Sequence, residues 1–243
     1  LQAAWAVLEG FKTVKISHFG TVPYLEIYQK MQDFTSQRST DTQDELWLCE
    51  HPPVYTLGLS AASPDLLRPS SIPIVPTNRG GKITYHGPGQ VVAYPLINLK
   101  DKGYFVKEYV YRLEEAVIKT LNSLNLTAHR VLGAPGVYVN ALDPRAHDTR
   151  STTRAERAMN SPTPAPAFGG LSKISAIGVK VSKHCTYHGL SLNVSLDLSP
   201  FEAINPCGYE GLKTTHLHHL GVMLNCQDVA FLLAEKLNTY LQP

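Results

Sequence analysis

Arg79-Gly80-Gly81-Lys82-Ile83-Thr84-Tyr85-His86-Gly87-Pro88-Gly89-Gln90 packs four glycines, a proline, a histidine and two cationic side chains into twelve residues. Glycine allows tight bends and close approach of main chain to a neighbour. Ile83, Thr84 and Tyr85 favour an extended backbone. The segment therefore reads as a short strand between two glycine bends, with Arg79 at one end and His86 at the other. Such an arrangement lays main chain against a ligand beside a titratable ring. The glycine spacing fits neither G-x-x-x-x-G-K-[ST] nor G-x-G-x-x-G. Taken alone, it points to a ligand site only slightly more than to a structural hairpin. It runs on into Val91-Val92-Ala93-Tyr94-Pro95-Leu96-Ile97-Asn98-Leu99, a continuous apolar run that reads as a buried strand, in which Pro95 marks a bulge or an edge.

Upstream, Tyr24, Ile27, Tyr28, Met31 and Phe34 repeat at helical spacing behind Pro23, a residue suited to a first turn. Glu45–Glu50 reads as a strand that stops before Pro52 and Pro53, which have no donors to offer. Val54–Gly58 is a second extended piece, and residues 61–77 read as surface loop. Downstream, Val110, Leu113, Val117 and Leu121 mark an amphipathic helix over 106–121. Strands are expected at Gly136–Val139, Lys173–Val181 and Thr186–Val194. The last two are joined through Ser182-Lys183-His184 as a hairpin. A closing helix carries Val229, Leu232, Leu233, Leu237 and Tyr240, with Asn225 as N-cap. Residues 141–170 hold Pro144, Pro162, Pro164, Pro166 and four arginines but almost no aliphatic side chains. Such a segment buries too little apolar surface to offset the entropy of ordering. It is read as a flexible insertion within one domain spanning 1–243.

The chain has 243 residues, 43% of them hydrophobic, enough for one sizeable core. A formal charge of +2 without like-charged blocks argues against nucleic acid as a partner. No apolar run is long enough to span a bilayer, so no membrane partner is expected. Leu1–Trp5 lacks the order of a signal peptide. Four cysteines, none in a C-x-x-C pair, suit a reducing compartment, and Cys49, Cys185 and Cys226 read as small buried hydrophobes.

Two more segments carry chemistry. In Asn205-Pro206-Cys207-Gly208-Tyr209-Glu210-Gly211, Pro206 stiffens the backbone and Gly208 removes bulk beside the sulfur. A thiol there suits a nucleophile with a backbone N–H at hand for an oxyanion, and equally an ordinary turn. A cysteine nucleophile needs a partner to ionise it and to move protons. His86, His188 and Lys173 are candidates by residue type. Lys173 opens the apolar run Lys173-Ile174-Ser175-Ala176-Ile177-Gly178, where alternation alone does not explain a lysine. The His216-x-His218-His219 cluster has no standard metal-ligand spacing and reads as a solvated loop.

Together, R-G-G-x-x-x-Y-H-G-P-G-Q, K-I-x-x-I-G-V and N-P-C-G-Y-x-G, in this order, resemble the lipoyl(octanoyl) transferase family. The resemblance runs from about Val14 to the closing helix and takes in Glu45–Gly58, Ala134–Val139 and Leu196–Phe201. Residues 141–170 depart from the compact family pattern, but the motifs resume intact at Lys173. The resemblance implies an α+β fold, a mixed β-sheet flanked by helices, related to the lipoate and biotin protein ligases. It implies transfer of octanoate from the phosphopantetheine thioester of acyl carrier protein to a specific lysine of a lipoyl domain, the first step of protein lipoylation. The acceptors implied are lipoyl domains of 2-oxoacid dehydrogenase E2 subunits and the glycine cleavage H protein.

By the same resemblance, Cys207 matches a nucleophile that forms an acyl thioester, and Lys173 its acid/base partner. Arg79, Gly80, Gly81, Lys82, Ile83, Thr84, Tyr85 and His86 match an acyl-pocket segment, as do Ala176, Ile177 and Gly178, and His188, Gly189 and Leu190. No ATP, metal or other cofactor is expected, and a bacterial cytoplasm is expected ahead of a mitochondrial setting. An ATP-dependent lipoate or biotin-type ligase, a non-catalytic lipoyl-domain binding module and a thioester hydrolase are the alternatives. The first needs no cysteine nucleophile, and the second needs neither Lys173 nor Cys207.

Overall fold

The computed structural model describes residues 14–61, 66–141, 168–205, 209 and 212–243. The chain begins with strand β1 (Lys15–Thr21), helix α1 (Tyr24–Ser36) and strands β2 (Glu45–Glu50) and β3 (Val54–Leu57). Short strands β4 (Ile74–Pro76) and β5 (Ile83–His86) lead to β6 (Gln90–Leu96). Helices α2 (Leu99–Lys102) and α3 (Val106–Ser123) follow, then β7 (Ala128–Val131), β8 (Ala134–Asn140), β9 (Leu171–Ser182) and β10 (Cys185–Asn193). Helix α4 (Cys226–Tyr240) closes the chain.

Among the described residues seven strands pair in the order β1-β2-β6-β10-β9-β8-β7, and three more pair as β4-β3-β5. In the large sheet β1 and β2 are parallel and the other neighbours antiparallel, so the sheet is mixed. One face is covered by α3 and α4. Leu113, Val117 and Leu121 of α3 meet Val229, Leu233 and Leu237 of α4 over Val91, Ala93, Val137, Leu190 and Leu192 of the strands. Full burial of each such side chain is worth about 1.5–3 kcal/mol. The opposite face holds α1, whose Ile27 and Met31 pack on Trp47, Val92, Tyr94 and Leu96. The small sheet lies over the same side with its own cluster of Tyr55, Ile83, Tyr85 and Phe201. The observed fold is the mixed sheet flanked by helices that the family resemblance implies.

Several elements differ in detail. Strands β1 and β7 were not expected; both lie at the edges of the large sheet, and every residue in them is exposed or half-buried. The stretch 61–77 contains β4, paired with β3 through Tyr55, Thr56 and Leu57. Strand β6 is internal, so Pro95 is at no edge. It sits where pairing with β10 has ended at Ala93, so no cross-strand N–H is missed on that side. Its carbonyl accepts from Thr186 Oγ1 at 2.8 Å and Tyr109 Oη at 3.2 Å. On α3, Tyr109 replaces Val110 on the buried side, joined there by Glu114.

The hairpin between β9 and β10 turns on Lys183 and His184, both at positive φ (49° and 66°), the conformation of a type I′ turn. His216 is buried rather than solvated; its Nδ1 accepts the His219 N–H at 3.1 Å and caps a 3₁₀ turn, Leu217–Leu220, whose two leucines are buried. Of the stretch 141–170 read as a flexible insertion, 142–167 lie outside the described residues. Phe168 packs its ring between Tyr138 and Tyr209, at centroid distances of 5.5 and 5.2 Å.

Candidate active site

The cleft lies between the small sheet and strands β6, β9 and β10. Period-2 alternation in β5 sends Tyr85 to the core beneath the small sheet, while Thr84 and His86 share the opposite face. Ile83 packs in that core as well but, with Thr84 and His86, borders the cleft. Gly81, Lys82, Ala176, Ile177, Gly178, His188, Gly189 and Leu190 line it together with Arg79. Gly80 and Tyr85, also expected there, do not. Gly80 instead donates its N–H to Val179 O at 2.9 Å, and Tyr85 packs edge-on against Phe201 at 5.6 Å. Mouth included, the cleft holds about 480 Å³ of free space. Its narrowness has a sequence cause at Gly178: a Cβ there would lie 3.0 Å from Gly80 O and 3.1 Å from Arg79 Cδ.

Arg79 is buried, at 7% exposure, and its guanidinium is held by backbone and hydroxyl oxygens. It donates to Thr56 O at 2.6 Å, Thr56 Oγ1 at 2.9 Å and Gly80 O at 2.9 Å. His86 and His188 line the cleft floor, and His51 packs beneath it against His86, ring centroids 5.8 Å apart. Gln90 donates through Nε2 to Asn193 Oδ1 at 2.9 Å, so its Oε1 accepts from His86 Nδ1 at 2.7 Å. His51 Nδ1 donates to Val22 O at 2.7 Å, which leaves Nε2 to accept from Tyr94 Oη at 2.7 Å. Asn78 donates to Tyr187 Oη at 2.7 Å, so its Oδ1 accepts from His188 Nε2 at 2.9 Å.

Burial is the main force on all three rings. It pushes His51 down to about 4; with His51, Arg79 and His188 adding to it, it pushes His86 to about 3, and with Arg79 adding to it, His188 to about 3. All three are neutral at pH 7. Burial likewise raises the Tyr24 and Tyr94 hydroxyls. His188 takes φ +57° within β10, an uncommon conformation outside glycine, of the kind that clusters at functional sites.

A second lobe shares Thr84, Ala176 and Ser191 with the first and adds Lys173, Ser175, Asn193, Phe201 and Thr214. Lys173 is 3% exposed. Its Nζ donates to Pro135 O at 3.0 Å and lies 5.2 Å from the Tyr138 ring centroid. Pairing of β9 with β10 ends at Ser175, and chain from further on takes β10's place. Lys173 N–H donates to Lys213 O at 2.8 Å, and Thr215 N–H donates to Lys173 O at 2.9 Å. Asn193 Nδ2 donates to Thr215 O at 2.9 Å. A hydrogen-bonded path thus runs from His86 through Gln90 and Asn193 to the strand beside Lys173.

Cys207 lies outside the described residues. Asn205 and Tyr209 flank it, and Tyr209 Oη donates to Gly133 O at 3.1 Å. Lys173 is the sequence candidate that pairs with the chain downstream of Cys207, at Lys213–Thr215. Tyr24, Tyr94, Ser191 and Asn193 were not singled out from sequence. Tyr24 and Tyr94 look like members of an apolar helix stripe and an apolar strand, and only packing brings their hydroxyls to the cleft.

Comparison with known proteins agrees with this geometry. Residues 24–238 match the lipoyl protein ligase A/B catalytic domain. An octanoyltransferase of Albidiferax ferrireducens is 55% identical over 224 residues, covering 92% of this chain and 96% of that relative. Among solved structures, a bi-partite lipoate protein ligase from Thermoplasma acidophilum superposes with a TM-score of 0.69 at 13% identity, over 94% of this chain and 84% of that one. A biotin protein ligase from Aquifex aeolicus, complexed with biotin and ATP, gives 0.50 at 10% identity, over 93% and 70%. The last two likenesses concern the fold alone. The chain belongs to the lipoyl protein ligase A/B catalytic-domain family and, within it, to the octanoyltransferases, enzymes of acyl transfer.

Proposed function

We propose that this enzyme moves an octanoyl group from octanoyl-acyl carrier protein to a lysine of a lipoyl domain, through a thioester on Cys207. The observation that carries the reading is the pairing of Lys173 with Thr214, which ties the buried lysine to the chain seven residues after Cys207. In the first half-reaction the Cys207 thiolate attacks the donor's thioester carbonyl carbon. A C–S bond to Cys207 forms, the C–S bond to phosphopantetheine breaks, and the departing thiolate takes up a proton. In the second, the acceptor amine attacks the same carbon, a C–N bond forms, and Cys207 leaves as thiolate. Lys173, having given its proton to the departing phosphopantetheine thiolate, takes the attacking amine's proton, which restores the starting ammonium and Cys207 thiolate. Thioester exchange is close to balanced and amide formation runs downhill, so the reading requires neither ATP nor a metal.

The narrow, mostly apolar first lobe suits a short straight acyl chain. The acceptors are lipoyl domains of 2-oxoacid dehydrogenase E2 subunits and the glycine cleavage H protein, and the setting is a bacterial cytoplasm. Among the described residues no helix is long and apolar enough to cross a membrane. The fold is shared with ligases that activate a free acid, so the test must separate the two chemistries. Mixed with octanoyl-carrier protein alone, the enzyme should gain the mass of one octanoyl group, and hydroxylamine should remove it. Cys207→Ser should gain none. A labile adduct on Cys207→Ser at the parent rate, or pyrophosphate release from ATP and free octanoate, would overturn the reading.

A further inference from the structure

Helix α3 places Glu114 on its buried side, at 7% exposure, where an uncompensated carboxylate is strongly disfavoured. Both its oxygens are engaged. Oε2 lies 3.0 Å from Arg130 Nε, and Oε1 accepts the Gly136 N–H at 3.1 Å. That N–H belongs to the peptide group whose carbonyl is that of Pro135, and Pro135 O accepts from Lys173 Nζ at 3.0 Å. One peptide group therefore stands between a carboxylate and an amine, its N–H on the first and its C=O on the second. The backbone is turned for this at Gly136, where φ is +132°, a region that favours glycine. The residue is also kept small: a Cβ there would lie 2.6 Å from Lys173 Cε.

We propose that Glu114 is a positioning residue for Lys173 and acts through the Pro135–Gly136 peptide. The inference rests on the reading of Lys173 as proton-transfer partner of Cys207. Hydrogen bonds in series polarise one another, so a carboxylate on the N–H makes the carbonyl a stronger acceptor for the amine. It also fixes the plane of the peptide and so the place of Nζ. Glu114 itself does not line the cleft.

The test follows single-turnover transfer from octanoyl-Cys207 to a lipoyl domain, with KM for octanoyl-carrier protein alongside. Glu114→Leu should slow transfer by about ten- to a hundred-fold, the scale of a catalytic group displaced by up to an ångström, with KM little changed. Glu114→Gln keeps an acceptor for Gly136 and should restore most of the rate. Arg130→Met removes the ion pair but leaves the Gly136 bond; it should lower Tm and leave transfer at the parent rate. Parent-rate transfer by Glu114→Leu, or equal slowing by Arg130→Met, overturns the inference.

Should Glu114→Leu not fold, the Gly136 amide proton decides. It should resonate downfield in the parent and move upfield in Glu114→Gln, and a proton that stays in place counts against the relay. Octanoyl-Cys207 formation by the parent is scored first. Its absence sinks the Cys207 mechanism and this inference with it. Its presence, with unaltered transfer in Glu114→Leu, sinks the role of Glu114 alone.

Discussion

Lys173 has few ways to move. Its backbone is paired on both sides, to Tyr138 in β8 and to Lys213 and Thr215, and its amine is held by Pro135 O. If this lysine is the proton-transfer partner of Cys207, its two contributions are separable. The positive charge favours the thiolate, and the neutral amine relays the acceptor's proton. Lys173→Arg keeps the charge but cannot lose a proton near neutral pH. It should retain much of the fast alkylation of Cys207 by iodoacetamide, while octanoyl transfer falls by about 10²-fold or more, the scale of general acid–base catalysis. Lys173→Met should lose both. Wild-type transfer by Lys173→Met would make the lysine structural. His86 would not inherit the role easily, because burial disfavours the imidazolium that a base must become, and its Nδ1–H is committed to Gln90.

Strand β9 slips in register beside Lys173. Val137 pairs with Ser175 and Tyr138 with Lys173, so β9 holds one extra residue, Ile174, against β8. A bulge of this kind re-aims side chains. It lets Ile174 join the core under α3 and α4 while Lys173 keeps to the cleft. Ser175 is opposite Val137 and Leu192, both in that core, and directly opposed residues share a face. Its hydroxyl is buried and has no hydrogen-bond partner among the described residues. Ser175→Ala should therefore stabilise the protein by about 1 kcal/mol, read as a higher urea midpoint at unchanged m-value. An unchanged or lower midpoint would mean that the hydroxyl is paired, for instance through a buried water.

The bulge also shows where sequence reading stops. Helices α1, α3 and α4 and strands β2, β6, β9 and β10 are legible because their apolar periods are long and regular. Edge strands β1 and β7 are not, since a strand with no buried residue carries no alternation to read. Arg79, His86, Lys173 and the 176–178 and 188–190 segments are legible from residue type and motif. Glu114 is not, because on an amphipathic helix one more carboxylate looks like solvent-facing charge. Its burial depends on Arg130 and Gly136, which are 16 and 22 residues away in sequence.

Across the whole molecule, His51, His86 and His188 set an acid limit. Each has an ordinary value of 6.5 and a folded value near 4 for His51 and near 3 for His86 and His188, with burial the leading cause. A depressed imidazole adds its stability in full above pH 6.5, and loses it as pH falls toward the folded value, because the unfolded chain binds the proton first. Each such group costs about 1.4 kcal/mol per pH unit within that window. Three together cost about 4 kcal/mol per unit, against a typical total of about 5–15 kcal/mol. Urea midpoints should be flat near pH 7 and fall steeply between pH 6 and about 4, with uptake of up to three protons on unfolding. His51→Gln should make the fall shallower by about a third. A midpoint that stays level from pH 7 to 5 would show that the floor admits protons while folded.

The graft of Lys213–Thr215 onto the end of β9 bears on time as well as place. Backbone groups paired on both edges inside a sheet open only when that part of the sheet unfolds locally, which is slow compared with side-chain motion. Lys173 is anchored in that way by Lys213 O and Thr215 N. If Lys173 is the proton-transfer partner of Cys207, it stands still through the proposed cycle, in which a donor protein and an acceptor protein must come and go. Exchange of one protein for the other, rather than any rearrangement around Lys173, is then expected to set the pace at which that cycle turns.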